Sequence, residues 1–111
     1  MNIFVKLYRR AKAFRNLEEA IRRAEAAYMR YGTRCYVIPN GERLAIIDKS
    51  TFRRVKDRDK LRGITTMADV ERLCIYYTPR YNGQEPMPLA EQKKKRHQYY
   101  RSLGLNFALD F

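Results

Sequence analysis

The sequence predicts an α+β fold: a small, mainly helical single domain with one antiparallel β-hairpin packed on helices. Three observations carry that expectation. Apolar residues recur at helical spacing over residues 3–31, 67–77 and 89–103. Two short apolar runs, at about 34–38 and 43–47, flank Pro39-Asn40-Gly41-Glu42, a composition suited to a tight hairpin. The 111 residues are 45% hydrophobic and 32% charged, with only 5 Gly and 4 Pro. That composition supports one modest core and excludes wholesale disorder.

Residues 1–15 read as a basic amphipathic helix, with Ile3, Phe4, Leu7, Tyr8, Ala11 and Phe14 on one stripe. A second stripe, Leu17, Ala20, Ile21, Ala24, Ala27, Tyr28 and Tyr31, is rotated from it by roughly 130° on an unbroken helix. Asn16 followed three residues later by Glu19 matches a capping box. The expectation is therefore a helix over 2–14, a break or kink at Arg15–Asn16, and a helix over 17–31. Gly32 suits the left-handed position that ends it.

In the hairpin, the Asn40-Gly41 pair supplies the turn, and both strands are apolar enough that helix must cover at least one face. Asp48 or Ser50 can cap a short helix through Phe52 and Val55 that ends before Gly63. Thr65 or Thr66 starts another, in which Met67, Val70, Leu73, Cys74 and Tyr77 share a face until Thr78-Pro79 stops it. Residues 79–88 read as a loop, residues 89–103 as a final helix ending near Gly104. Residues 105–111 alternate at period two and read as an extended apolar tail.

Charge is the strongest functional signal. The chain carries 24 Lys+Arg against 12 Asp+Glu, net +12. Three segments hold 16 of those basic residues and only two of the acidic ones. They are Lys6, Arg9, Arg10, Lys12 and Arg15; Arg53, Arg54, Lys56, Arg58, Lys60 and Arg62 with Asp57 and Asp59; and Lys93, Lys94, Lys95, Arg96 and Arg101. Clustering on an otherwise near-neutral scaffold creates a local field that attracts a polyanion. Each run by itself also matches a solvated helix face. Tyr99-Tyr100 adjoin the last run, and Tyr76-Tyr77 precede Arg80-Tyr81. Tyr77 and Tyr100 fall on apolar stripes and read as core, leaving Tyr76, Tyr81 and Tyr99 as candidates for stacking on bases. No recognised RNP, zinc-finger, KH or leucine-zipper pattern appears, so sequence-specific readout is not expected.

The expected function is thus a small, basic, non-enzymatic nucleic-acid-binding protein acting through phosphates, with DNA and RNA equally open. Its expected contacts are Lys6, Arg9, Arg10, Lys12, Arg53, Arg54, Lys56, Arg58, Lys93, Lys94, Lys95, Arg96, Tyr99 and Arg101. The alternative is a structural or adaptor subunit of a larger assembly, self-associating or docking a protein through its termini. Phe4, Leu7, Phe107, Leu109 and Phe111 are then the partner-binding residues. The first helix also has the composition of one that lies on an anionic membrane surface, although a membrane partner is not expected overall.

Catalysis is not expected. His97 is the only histidine and has no accompanying nucleophile. Asp57 and Asp59 alternate with Lys56, Arg58 and Lys60 and read as local charge balance rather than a carboxylate pair. The glycines are isolated, so there is no phosphate-binding glycine loop. Two Cys and one His fall short of a four-ligand zinc site, and no metal or cofactor is expected. Cys35 and Cys74 read as small core residues outside the basic runs that would activate a thiol. Leu44–Ile47, the longest aliphatic run, is far shorter than the roughly 20 residues of a bilayer span. With no signal-peptide pattern, the free thiols fit a reducing cytoplasm.

Residues 17–62 carry a helix, then Arg34-Cys35-Tyr36-Val37-Ile38-Pro39, the Asn40-Gly41 turn, the strand Leu44–Ile47 and Phe52-Arg53-Arg54 at a helix start. This succession resembles a group of small proteins of Bacteroidetes and their phages, with Cys35 where the group more often has an aromatic. The resemblance implies a phage or mobile-element origin, hence a cytoplasmic or virion location, and no mechanism. The tail residues Asn106, Leu109 and Phe111 resemble the sliding-clamp-binding pattern Gln-x-x-Leu-x-Phe, with Asn106 at the Gln position. Strand addition to a neighbour's sheet and packing on the chain's own core are the broader readings of the same tail.

Overall fold

The computed structural model describes residues 3–40, 43–56, 66–79 and 86–104, with the backbone alone for Lys6, Asn40, Val55 and Lys56. The first element, α1 (Ile3–Tyr31), is one helix of 29 residues, about 43 Å long at 1.5 Å per residue. The expected break at Arg15–Asn16 does not occur. No Gly or Pro interrupts the segment, and Asn within a helix costs only about 0.7 kcal/mol relative to Ala. A break would instead expose a full set of unpaired backbone groups at two new helix ends. The shift between the stripes marks two faces of one helix. Ala13, Leu17, Ala20, Ala24 and Tyr28 are buried, while Ile3, Phe4, Leu7 and Phe14 stay exposed. Gly32 ends α1 as expected: its φ is +72° and its N–H donates to the Tyr28 carbonyl at 2.7 Å.

Strands β1 (Tyr36–Asn40) and β2 (Arg43–Ile47) form the hairpin. β1 begins two residues later than expected, and Asn40 is its last residue, paired with Arg43, rather than part of the turn. A third strand, β3 (Tyr76–Tyr77), stands where the sequence predicts helix. It pairs antiparallel with β1, giving the order β2-β1-β3. The helix expected to continue through Tyr77, α3 (Met67–Leu73), stops earlier because Cys74 turns extended, with φ −64° and ψ 148°. Ile75, Tyr76, Tyr77 and Thr78 are all strand-favouring residues, and their pairing covers the otherwise open edge of β1. The ladder continues past the strand ends. Ile75 N–H donates to the Val37 carbonyl at 2.7 Å and Thr78 N–H to the Cys35 carbonyl at 3.0 Å. Cys35 N–H in turn donates to the fully buried Thr78 hydroxyl at 2.8 Å.

The sheet is covered on both sides. Val37 and its neighbours Leu44, Ile46 and Tyr76 face α1 and the last helix, α4 (Leu89–Ser102). Tyr36, Ile38, Ala45, Ile47 and Tyr77 face α3 and Phe52 of α2 (Lys49–Lys56). This alternation with both faces buried explains why the strands are apolar almost throughout. The local starts follow the sequence. Asp48 accepts from Thr51 N–H at 2.6 Å to cap α2, and Thr66 and Asp69 form a reciprocal capping box at 3.2 Å on α3. The expected tail at 105–111, with Phe107, Leu109 and Phe111, lies outside the described residues, as do most of the 79–88 loop, Tyr81, Arg58, Lys60 and Arg62.

Candidate nucleic-acid interface

The inner face of α4 reads Gln92, Lys95, Arg96, Tyr99, Tyr100 and Leu103, at helical spacing and half polar. Tyr99 and Tyr100 are buried at 5% and 7% exposure among Ala13, Leu17, Ala20 and Ala24, with their rings 5.7 Å apart. Two hydrogen bonds frame the helix: Gln92 Nε2 donates to the Met87 carbonyl at 2.8 Å, and Tyr77 hydroxyl to Glu91 at 3.1 Å.

α4 runs back along α1. Arg96 lies 3.0 Å from the Glu18 carboxylate, and its guanidinium is 5.9 Å from the Phe14 ring centroid. Nearer the end of α4, Arg9 Nη2 donates to the Leu103 carbonyl at 3.1 Å, satisfying an end carbonyl and placing a cation at the negative end of the helix dipole. Between these two ties runs a shallow groove lined by Tyr8, Arg9, Lys12, Asn16, Tyr99 and Leu103. Two basic segments from opposite ends of the sequence are thereby carried on adjacent helices. Arg9 and Lys12 line the groove; Arg15 on α1 and Lys93, Lys94 and Arg101 on α4 are exposed, and Arg10 is half-buried.

Several expected contacts are corrected by this packing. Tyr99 is a core residue, and burial followed by the neighbouring Tyr100 raises its phenol above the ordinary value; its ring is not available for base stacking. Arg96 is half-buried and paired with Glu18, and Lys95 Nζ donates to the Arg72 carbonyl at 3.3 Å. Both sit on the inner side of α4 because that face carries them at the spacing of Tyr99 and Leu103. Tyr76 is half-buried in β3, its hydroxyl 3.3 Å from Glu25, so it packs rather than stacks. Arg53 and Arg54 are exposed, but on α2, across the sheet from the α1–α4 face. The side chains of Lys6 and Lys56, and all of Arg58, lie outside the described residues.

The thiols are held away from nucleophilic chemistry. Cys74 is buried and its pKa is pushed up to about 11, chiefly by burial; burial, then Asp48, also raises Cys35. Among the described residues no group of three His, Cys, Asp or Glu is placed to hold a metal ion, and no helix is long and apolar enough to cross a membrane.

Set against family models, curated proteins and solved structures, the chain finds no match.

Proposed function

We propose that this protein binds nucleic acid without catalysing a reaction on it, and that it does so through phosphate contacts from the α1–α4 face. One observation carries the reading: packing of α4 along α1 brings two basic, acid-free sequence segments onto adjacent helices. Arg9 and Lys12 line the groove between the helices, and Arg15, Lys93, Lys94 and Arg101 are exposed elsewhere on the same two helices. A row of exposed cations on rigid helices tracks a phosphate backbone and carries no base code. DNA and RNA satisfy this chemistry equally. The resemblance of residues 17–62 to small proteins of Bacteroidetes and their phages adds the proposal of a phage or mobile-element origin.

Titrating salt against a fluorescent duplex tests it. If about five phosphates are neutralised, log K falls against log salt with a slope near −4 to −5. Reversing Lys93, Lys94 and Arg101 to Glu weakens binding to every sequence alike. Absence of binding at low salt, or binding indifferent to salt, rejects the reading.

A second reading is favoured by a separate observation. Ile3, Phe4, Val5, Leu7 and Tyr8 are all exposed, at 45–75%. They lie before the first buried residue of α1, Ala13. Apolar surface displayed on a rigid helix is what an adaptor or assembly subunit presents to a protein partner.

A further inference from the structure

At the other end of α1, on the α2–α3 side of the sheet, lies a cleft of about 590 Å³, within the range of about 300–1,000 Å³ typical of small-ligand sites. Its chemistry is mixed. Arg34, Lys49 and Arg53 bring three cations to its lining from two separate segments. The Arg34 guanidinium is oriented by the Tyr77 ring, 4.5 Å from its centroid. Asp48 and Glu71 bring two carboxylates, each fixed through one oxygen. Asp48 Oδ1 accepts from Thr51 N–H at 2.6 Å, and Glu71 Oε1 accepts from the Tyr36 hydroxyl at 3.3 Å. Each carboxylate keeps a second oxygen able to accept. Met67, half-buried, supplies apolar lining.

A bare anion would meet the two carboxylates, and a bare cation the three basic groups. A ligand that satisfies both carries a phosphate at one end and hydroxyl or amino donors at the other, joined by a flat apolar body. We propose that this cleft binds a nucleoside monophosphate group. The phosphate meets Lys49 and Arg53, sugar hydroxyls or a base amino group donate to Asp48 and Glu71, and the base lies against Met67. The group comes from a free mononucleotide or from the 5′-terminal nucleotide of a strand. The site stands independently of the α1–α4 face, since none of its residues is on that face.

Isothermal titration of the full chain with AMP, adenosine and inorganic phosphate tests it. AMP binds at least about tenfold more tightly than adenosine or phosphate, the margin of one charge-assisted contact. Lys49→Glu, at an exposed position, removes that margin with the melting temperature unchanged. Equal binding of AMP and adenosine, phosphate as tight as AMP, or full AMP affinity in Lys49→Glu overturns the proposal. Competition with AMP by a 5′-phosphorylated oligonucleotide, but not its 5′-hydroxyl counterpart, assigns the site to strand ends. AMP binding without that competition assigns it to free nucleotide. Reversal of Lys93, Lys94 and Arg101 leaves AMP binding intact, so failure of the α1–α4 reading is seen separately.

Discussion

The guanidinium of Arg96 lies 3.0 Å from the Glu18 carboxylate and over the ring of Phe14, so one residue of α4 holds two residues a turn apart on α1. It belongs to the longest run of cations in the sequence, Lys93 to Arg96, yet its charge is used within the fold. Lys93 and Lys94 of the same run are exposed. Within four consecutive residues the chain separates cations that assemble the domain from cations that face outward.

That separation is measurable. Arg96→Gln should cost about 0.5–1 kcal/mol of stability, a modest figure because both partners are about one-third exposed. It should leave the salt dependence of nucleic-acid binding nearly unchanged. Lys94→Gln should do the reverse, with stability untouched and the log–log salt slope reduced by about 1. Urea titration and fluorescence anisotropy on the two variants check both halves. A larger affinity loss from Arg96→Gln than from Lys94→Gln contradicts the assignment.

Tyr99 separates packing from stacking. Tyr99→Ala should destabilise the domain by about 3–5 kcal/mol, as truncation of a buried aromatic does. Tyr99→Phe keeps the ring and should leave both stability and affinity close to the parent. An affinity loss in Tyr99→Phe at unchanged stability would mean that the hydroxyl meets the ligand.

Alkaline pH should weaken the fold. Burial holds the Cys74 thiol neutral, its pKa raised from 9.0 to about 11. Burial, then Glu25, raises the Tyr76 phenol from 10.0 to about 12. Because the folded values lie above the unfolded ones, this stabilisation is complete below about pH 9. It is lost progressively as pH rises toward 11 and 12. The urea midpoint should therefore fall between pH 9 and 11, and Cys74→Ala should flatten that slope whatever its effect at pH 7. A midpoint constant over this interval would show that neither group is shielded.

The exposed end of α1 predicts a change in association without a change in folding. Leu7→Ser, at a position 52% exposed, should shift the melting temperature by less than a degree or two. It should also abolish any self-association or partner capture seen by light scattering. A strongly destabilised monomer would instead place Leu7 in the domain's own core.

Local signals in the sequence determined the local structure. Gly32 marks the end of α1 because only a residue without Cβ takes φ +72° at little cost. Asp48 and Thr66 mark the starts of α2 and α3 because their side chains reach backbone N–H groups three residues on. The hairpin and the basic runs are equally legible, since each depends on residues within a few positions of one another. Which surfaces become interior is a different kind of question. Two apolar stripes compete along α1, and the one beginning at Ala13 is buried because the sheet and α4 both reach it. The stripe of Ile3, Phe4 and Leu7 is as apolar and stays exposed. On α4 the apolar Leu89 is 82% exposed while Tyr99 is buried, because docking on α1 selects a half-polar face whose Arg96 finds Glu18. β3 exists because β1 offers it an unpaired edge. The joining of residues 9–15 with 93–101 has no local signal at all. Burial free energy depends on area shared between elements remote in sequence, and only the packed chain brings that area together.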